Sequence, residues 1–205
     1  MFLEKLMVIG IPAVLAVTVH EVAHGWVANK LGDSTAAQLG RLSLNPLRHV
    51  DPIGTVVVPL TLHLLNAGFL FGWAKPVPVD WRNLRHVRRD MALVAAAGPF
   101  SNLLMLLGWL LALMVFGEHR LVAPMSWTGI GFNATIMLLN LLPIPPLDGS
   151  RIVTSLLPAR AAVRYNKMEP FGIVVLLVLM ATGVVGAILI PGLHGIEQLV
   201  RALLR

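Results

Sequence analysis

The chain contains no cysteine, which excludes disulfides and thiolate metal sites and leaves its redox compartment unreadable. Charge is scarce as well. Only 13% of the 205 residues are Asp, Glu, Lys or Arg, against about 25% in an average soluble domain. With 57% hydrophobic residues and a mean hydropathy of +0.79, the composition is that of a polytopic membrane protein. Internal repeats, low-complexity runs and polar stretches long enough for a soluble domain are also missing. Acidic residues are the scarcer charge, ten against sixteen basic ones, giving a net charge of +6. That excess does not point to nucleic acid, because the basic residues cluster between apolar segments, where they orient a chain in a bilayer.

Five apolar segments are present, roughly 6–28, 52–71, 91–116, 128–147 and 171–190. Each approaches the ~20 residues needed to cross a hydrocarbon core. The tail from Pro191 has Ile196, Leu199, Val200 and Leu203 opposite Arg201 and Arg205, a pattern suited to the membrane surface. Two connections have extended character. LGRLSLN within 36–47 alternates apolar and polar residues and predicts a short strand. FGWAKPVPV (71–79) cannot be helical, because Pro76 and Pro78 lack amide donors and push their neighbours extended. Prolines two apart leave one edge blocked and the other carrying the groups of Lys75, Val77 and Val79, a rail on which an extended peptide could dock.

Ionisable groups inside an apolar segment cost a few kcal/mol each, so they need a role. VTVHEVAHGW (17–26) holds three of them. On a helix His20 and His24 lie one turn apart and can grip a single metal ion, while Glu21 sits beside them, placed to act on a metal-bound water rather than to ligate. Zinc is the natural ion for two imidazoles, an oxygen ligand and one open position. The bland alternative is a pair of histidines hydrogen-bonded to neighbouring helices. A third ligand is still required, and the chain offers Asp33, Asp51, Asp80, Asp90 and Asp148. All but Asp148 lie in polar connections beside basic residues and read as solvated charges. Asp148 follows Pro143, Pro145 and Pro146, which break an apolar helix open inside the membrane, an arrangement tolerated only where it lines a protein cavity. Spacing therefore favours Asp148 over Asp51 without excluding a plain helix cap.

HEVAHG, AGPFSN (97–102) and NLLPIPPLDGSR (140–151), in this order on separate apolar segments, resemble the site-2 protease family of intramembrane zinc metalloproteases. GDSTAAQLGRLSLNP (32–46), HVDPIGT (49–55) and FGWAKPVPV narrow the resemblance to the short bacterial forms that lack a PDZ domain. The resemblance implies one zinc ion per chain on His20, His24 and Asp148, Glu21 as catalytic base, and Asn140 and Asn102 near the site, helping to position substrate. It implies cleavage of peptide bonds in or near the transmembrane segments of other proteins. By their own character Asn102 and Asn140 could equally hydrogen-bond across helices. The competing class is a metal transporter or channel holding ions in transit on the same His/Asp cluster, but it leaves Glu21 and the proline segment without a role.

The expectation is thus an all-α polytopic membrane protein with four to five transmembrane helices and a short membrane-associated β-strand or re-entrant element. It forms a single domain, 1–205, with the catalytic core at about 6–152 and a C-terminal helix and amphipathic tail at 153–205. Its partners are the lipid bilayer and transmembrane protein substrates, with no nucleic acid. For His20, His24 and Asp148 to share an ion, the C-terminal ends of the first and fourth segments must lie at one membrane face. Segment 52–71 must then dip in and return rather than cross. Under that topology twelve of the sixteen Lys and Arg fall on the metal-site face, which predicts a multi-pass cell-membrane protein with its zinc site toward the cytoplasm.

Overall fold

A computed structural model describes residues 2–69 and 71–205. Nine α-helices follow one another along the described chain: α1 (Phe2–Lys30), α2 (Thr35–Gln38), α3 (Val58–Leu64), α4 (Val87–Phe116), α5 (Val122–Asn140), α6 (Asp148–Leu156), α7 (Ala159–Asn166), α8 (Gly172–Ala181) and α9 (Val184–Leu203). Four are long and apolar enough to cross a membrane: Leu3–Lys30, Val87–Phe116, Val122–Asn140 and Val184–Leu203. These spans are apolar on nearly every face, as expected of helices that meet protein on one side and lipid on the other. Pro12 in α1 and Pro99 in α4 remain inside their helices, since neighbouring segments can satisfy the carbonyls a proline frees.

The core is the antiparallel trio α1, α4 and α5. At one end Leu31 O accepts from Arg85 N (3.1 Å), joining the close of α1 to the approach to α4. At the other, Glu4 pairs with Arg120 (3.0 Å) and joins the start of α1 to the α4–α5 turn. α9 returns along α5: Val185 and Leu189 pack with Leu142 near the metal-ligand end, and Val200 packs with Leu113 and Ile130 at the far end. The sequence argument about sharing an ion is met in this way, because the C-terminal ends of α1 and α5 lie together.

Helix α1 stops where Gly32, at φ +118°, turns the chain and Asp33 N reaches back to Ala28 O (2.9 Å). This six-to-one closure is a Schellman ending, which requires a left-handed residue at that position.

In segment 52–71 the described residues form no helix long and apolar enough to cross a membrane. Its helical part, a π-turn over Pro52–Val57 leading into α3, has 6 and 7 residues, roughly 20 Å of helix against a core of ~30 Å. The expected short β-strand or re-entrant element finds no support: among the described residues there is no strand. Four backbone amides of the extended strap 71–80 are already hydrogen-bonded within the chain. Trp73 N donates to Gly54 O (3.1 Å), Lys75 N to His49 O (2.8 Å), Val77 N to Glu21 Oε2 (2.8 Å) and Asp80 N to Asp33 Oδ2 (2.8 Å). Of the peptide-docking rail expected on Lys75, Val77 and Val79, the Lys75 and Val77 amides are thus already engaged within the chain. LGRLSLN forms no strand either. Gly40, at φ +63°, ends α2, and the carbonyls that follow are met by side chains, Gly40 O by Arg48 and Ser43 O by His49 Nε2 (2.8 Å).

Three further expectations change. The apolar run 171–190 is not one helix: Gly183, at φ +78°, divides it into the short α8 and the start of α9. Residues 191–203, read as a surface tail, continue the spanning helix α9 through Pro191. Nor are all the aspartates read as solvated so exposed. Asp33 and Asp90 are fully buried. Asp90 Oδ2 caps α4 by accepting from His86 N (2.8 Å), Asp51 caps the π-turn through Ile53 N and Gly54 N, and Asp80 caps a 3-10 turn while pairing with Arg82 (2.7 Å).

Asp33 joins the end of α1 to the strap, accepting from Thr35 N, Thr35 Oγ1, Asn83 Nδ2 and Asp80 N. Burial raises its pKa, but these donors, Asn83 and Thr35 foremost, outweigh burial and hold it below the usual value. A carboxylate depressed in the folded state stabilises above its unfolded pKa of about 3.9, and that contribution is lost as pH falls through the folded value. Asp33→Ala is expected to destabilise the protein by on the order of 2 kcal/mol or more at neutral pH. The difference from wild type should shrink on strong acidification. Thermal denaturation in detergent across pH measures both.

Candidate metal centre

His20 and His24 face α4 from the C-terminal half of α1, with ring centroids 4.7 Å apart and planes at 85°. Their Nδ1 atoms are both engaged. His20 Nδ1 lies 2.6 Å from Asn102 Oδ1, and His24 Nδ1 lies 2.7 Å from Val94 O. Carbonyl oxygens only accept. Each ring therefore carries its proton on Nδ1, provided Asn102 presents its oxygen, an assignment its other contacts support. Asn102 Nδ2 donates to Ala16 O (3.2 Å) and to Asn133 Oδ1 (2.9 Å), while Asn133 Nδ2 donates to Gly129 O (2.8 Å).

The consequence is that both Nε2 lone pairs point the same way. They lie 3.1 Å from one another, and Asp148 completes the triangle with Oδ2 3.2 Å from His20 Nε2 and Oδ1 3.3 Å from His24 Nε2. Asp148 Oδ2 is buried and accepts no hydrogen bond. Three electron-rich atoms gathered in an apolar interior repel one another unless a cation joins them. Ligands about 2.0–2.1 Å from a tetrahedral zinc are about 3.3 Å apart, so the observed spacing fits that ion. Among the described residues this is the one group of three or more His, Cys, Asp or Glu able to hold a metal. Asp51, the alternative third ligand, is occupied instead at its helix cap.

Two features of the sequence make the convergence possible. Gly98 lies against the imidazoles: a Cβ there would collide with His24 Nε2 and sit 2.6 Å from His20 Nε2. The absence of a side chain at Gly98 thus leaves open the space between the two rings. The break after α5 does the rest. Asp148 opens α6, and Gly149 presses so closely on the Leu141 and Leu142 carbonyls that no side chain fits.

A cavity of about 550 Å³ opens onto the centre, lined by His20, Glu21, His24, Asn140 and Asp148 among largely apolar neighbours from α1, α4, α5, α8 and the strap. Glu21 reaches this cavity with Oε2 fixed by the Val77 amide. Asn140 lies on the wall, its Nδ2 donating to Ile136 O (3.0 Å). Asn102 is fully buried behind His20. Sequence reasoning missed three participants: Asn133, the Val77 amide and Arg151, which also lines the cavity. Asn133 was detectable as an amide in an apolar segment. A backbone N–H that finds a carboxylate 56 residues away carries no sequence signal.

The model of Peptidase family M50 matches residues 116–183, the stretch that holds Asn140 and Asp148. The chain is 39% identical over 195 residues to the protein named "Putative zinc metalloprotease YwhC" of Bacillus subtilis (strain 168), covering 90% of this chain and 84% of that one. It is 28% identical over 176 residues to "Putative zinc metalloprotease Rip2" of Mycolicibacterium smegmatis, covering 82% of this chain and 64% of the relative. The Rip2 of Mycobacterium tuberculosis (strain ATCC 25618 / H37Rv) is 32% identical over 173 residues, with 80% and 63% covered. No solved structure matches.

Gly98→Ala should displace the histidine pair. Zinc content of the purified variant is expected to fall well below one per chain while helicity by circular dichroism stays unchanged. Full occupancy in the variant would show that the glycine is a packing residue only.

Proposed function

Since the chain belongs to peptidase family M50 and is an intramembrane zinc metalloprotease, we propose that His20, His24 and Asp148 hold the zinc, that Glu21 is the general base, and that the substrates are transmembrane segments of other membrane proteins. The observation that carries the proposal is the convergence of three largely buried ligand atoms beside a carboxylate that does not belong to the triangle. When bound, zinc supplies Lewis acidity that polarises a carbonyl and acidifies water. The remaining work falls to side chains of this protein. Glu21 has one oxygen fixed by the Val77 N–H, leaving the other free to take a proton from the attacking water and return it to the departing amine. Asn102 holds His20 in the tautomer that offers Nε2, and so acts on substrate only through that ring. Asn140, on the cavity wall, is the residue placed to contact the substrate backbone. A transport reading of the same cluster gives Glu21 no task, and the relatives carry protease names.

A substrate helix hides its carbonyls in its own hydrogen bonds, so it must unwind before its backbone reaches Glu21. The apolar lining of the cavity, with Trp73, Val77, Leu139 and Leu176, favours an unwound stretch with apolar side chains. Orientation follows from charge. Twelve of the sixteen Lys and Arg lie in segments at the metal-site end, and the positive-inside rule assigns that end to the cytoplasm.

Glu21→Gln is expected to abolish cleavage of a reporter transmembrane peptide while zinc content stays at one per chain. Retained turnover near the wild-type rate would end the mechanism as written. Val77→Pro removes the donor to Glu21 and should lower kcat at least tenfold with zinc retained; an unchanged kcat would make the strap purely architectural. Asp148→Ala should lose the metal, whereas Asp51→Ala should keep it.

Topology has its own test, because there is no native cysteine to interfere. Cysteines at the exposed Gln38 and Arg160 should react with impermeant reagent only from the cytoplasm, and one at Glu118 only from outside. The reverse pattern would overturn the charge argument.

A further inference from the structure

We propose that α7 docks on anionic phospholipid headgroups of the surrounding bilayer and thereby seats the loop that presents Asp148. The consequence for catalysis rests on the reading of Asp148 as a ligand, but the docking does not. The exposed side of the segment carries Arg160, Val163 and Arg164 on one face of α7 and Lys167, Met168 and Phe171 in the turns that follow it. Val163 is 60% and Phe171 67% exposed. Interleaved cations and exposed apolar side chains at a membrane end are the pattern of an interfacial helix, which sinks its apolar groups among headgroups that its cations attract.

Two observations favour lipid over a soluble acidic partner. The exposed face runs on into Val174 and Val178 of α8, so the cationic stretch is continuous with a purely apolar one. The cations are also uncompensated. Among the described residues Arg160, Arg164 and Lys167 make no ion pair, and the nearby Glu169 is taken by Arg151.

The same segment is tied to the metal-ligand loop at four places. Tyr165 Oη donates to Pro143 O (2.8 Å), inside the proline break. Thr154 Oγ1 donates to Asn166 Oδ1 (2.8 Å), joining α6 to α7. Arg151, one turn after Asp148, pairs with Glu169. Gly172 abuts the Pro145 carbonyl so closely that a Cβ would overlap it. A shift of α7 relative to the bilayer surface is therefore transmitted to residues 143–151.

The test places a cysteine at Val163, labels it with an environment-sensitive fluorophore, and reconstitutes the zinc-loaded protein in vesicles. One set is phosphatidylcholine alone and the other phosphatidylcholine with phosphatidylglycerol. The emission should shift to the blue and become shielded from aqueous quencher only with phosphatidylglycerol. High salt, or the combined Arg160→Gln, Arg164→Gln and Lys167→Gln variant, should remove the effect. Cleavage of a reporter transmembrane peptide should be several-fold faster in the anionic vesicles for wild type. Tyr165→Phe should keep the fluorescence shift and lose that gain.

An emission insensitive to phosphatidylglycerol, a triple variant that behaves as wild type, or a shift produced by soluble polyglutamate instead would overturn the docking. A rate gain that survives in Tyr165→Phe would overturn the coupling. If the shift occurs and neither vesicle supports cleavage with zinc bound, the protease reading has failed and the docking stands.

Discussion

Everything at the centre of this protein follows from keeping two imidazole lone pairs and a carboxylate within about 3 Å of each other in an apolar interior. Left to themselves, such groups would turn apart or capture protons. The chain prevents the first outcome by fixing each ring from behind, His20 on Asn102 and His24 on the Val94 carbonyl. It makes room for a cation by placing Gly98 where any larger residue would fill the space. A divalent ion held by the three groups, as proposed, would turn a repulsive arrangement into a bound one.

The cost of this arrangement is spread through the membrane-embedded core. Asn102 and Asn133 are fully buried amides, and inside a bilayer an unsatisfied polar group costs several kcal/mol. Their hydrogen bonds run from Ala16 O through Asn102 and Asn133 to Gly129 O, so α1, α4 and α5 are linked by a polar spine that ends at His20. One network both holds the helix trio in register and sets the tautomer of His20. At the opposite side of the site, the strap uses Glu21, Asp33 and the Gly54 and His49 carbonyls to hold an extended segment that no sheet supports.

Legibility in the sequence divides along the range of the interactions. His20, Glu21 and His24 could be read because the spacing of one helical turn fixes their relative placement, and Asp148 because three prolines announce a broken helix. The meeting of the C-terminal ends of α1 and α5 followed from the requirement that His20, His24 and Asp148 share one ion, and the structure brings those ends together. What escaped depended on contacts between distant segments. Alternation in LGRLSLN and the prolines of FGWAKPVPV indicate extended backbone, but neither says whether a neighbouring strand exists, and none does among the described residues. Asp33 and Asp90 sit beside lysine or arginine in polar connections, yet both are buried, because their acceptor oxygens satisfy amides that local sequence does not name. Pro191 suggested an ending, but in a spanning helix it is accommodated.

The central claim is that a single zinc ion joins His20, His24 and Asp148. X-ray absorption at the zinc edge of the purified, active protein tests it most directly. The account predicts one zinc per chain with a nitrogen and oxygen shell at about 2.0–2.1 Å, and multiple-scattering features of two imidazoles that drop to one in any zinc retained by His24→Ala. An imidazole count that is unchanged in His24→Ala, or a wild-type spectrum with no imidazole features, would contradict it.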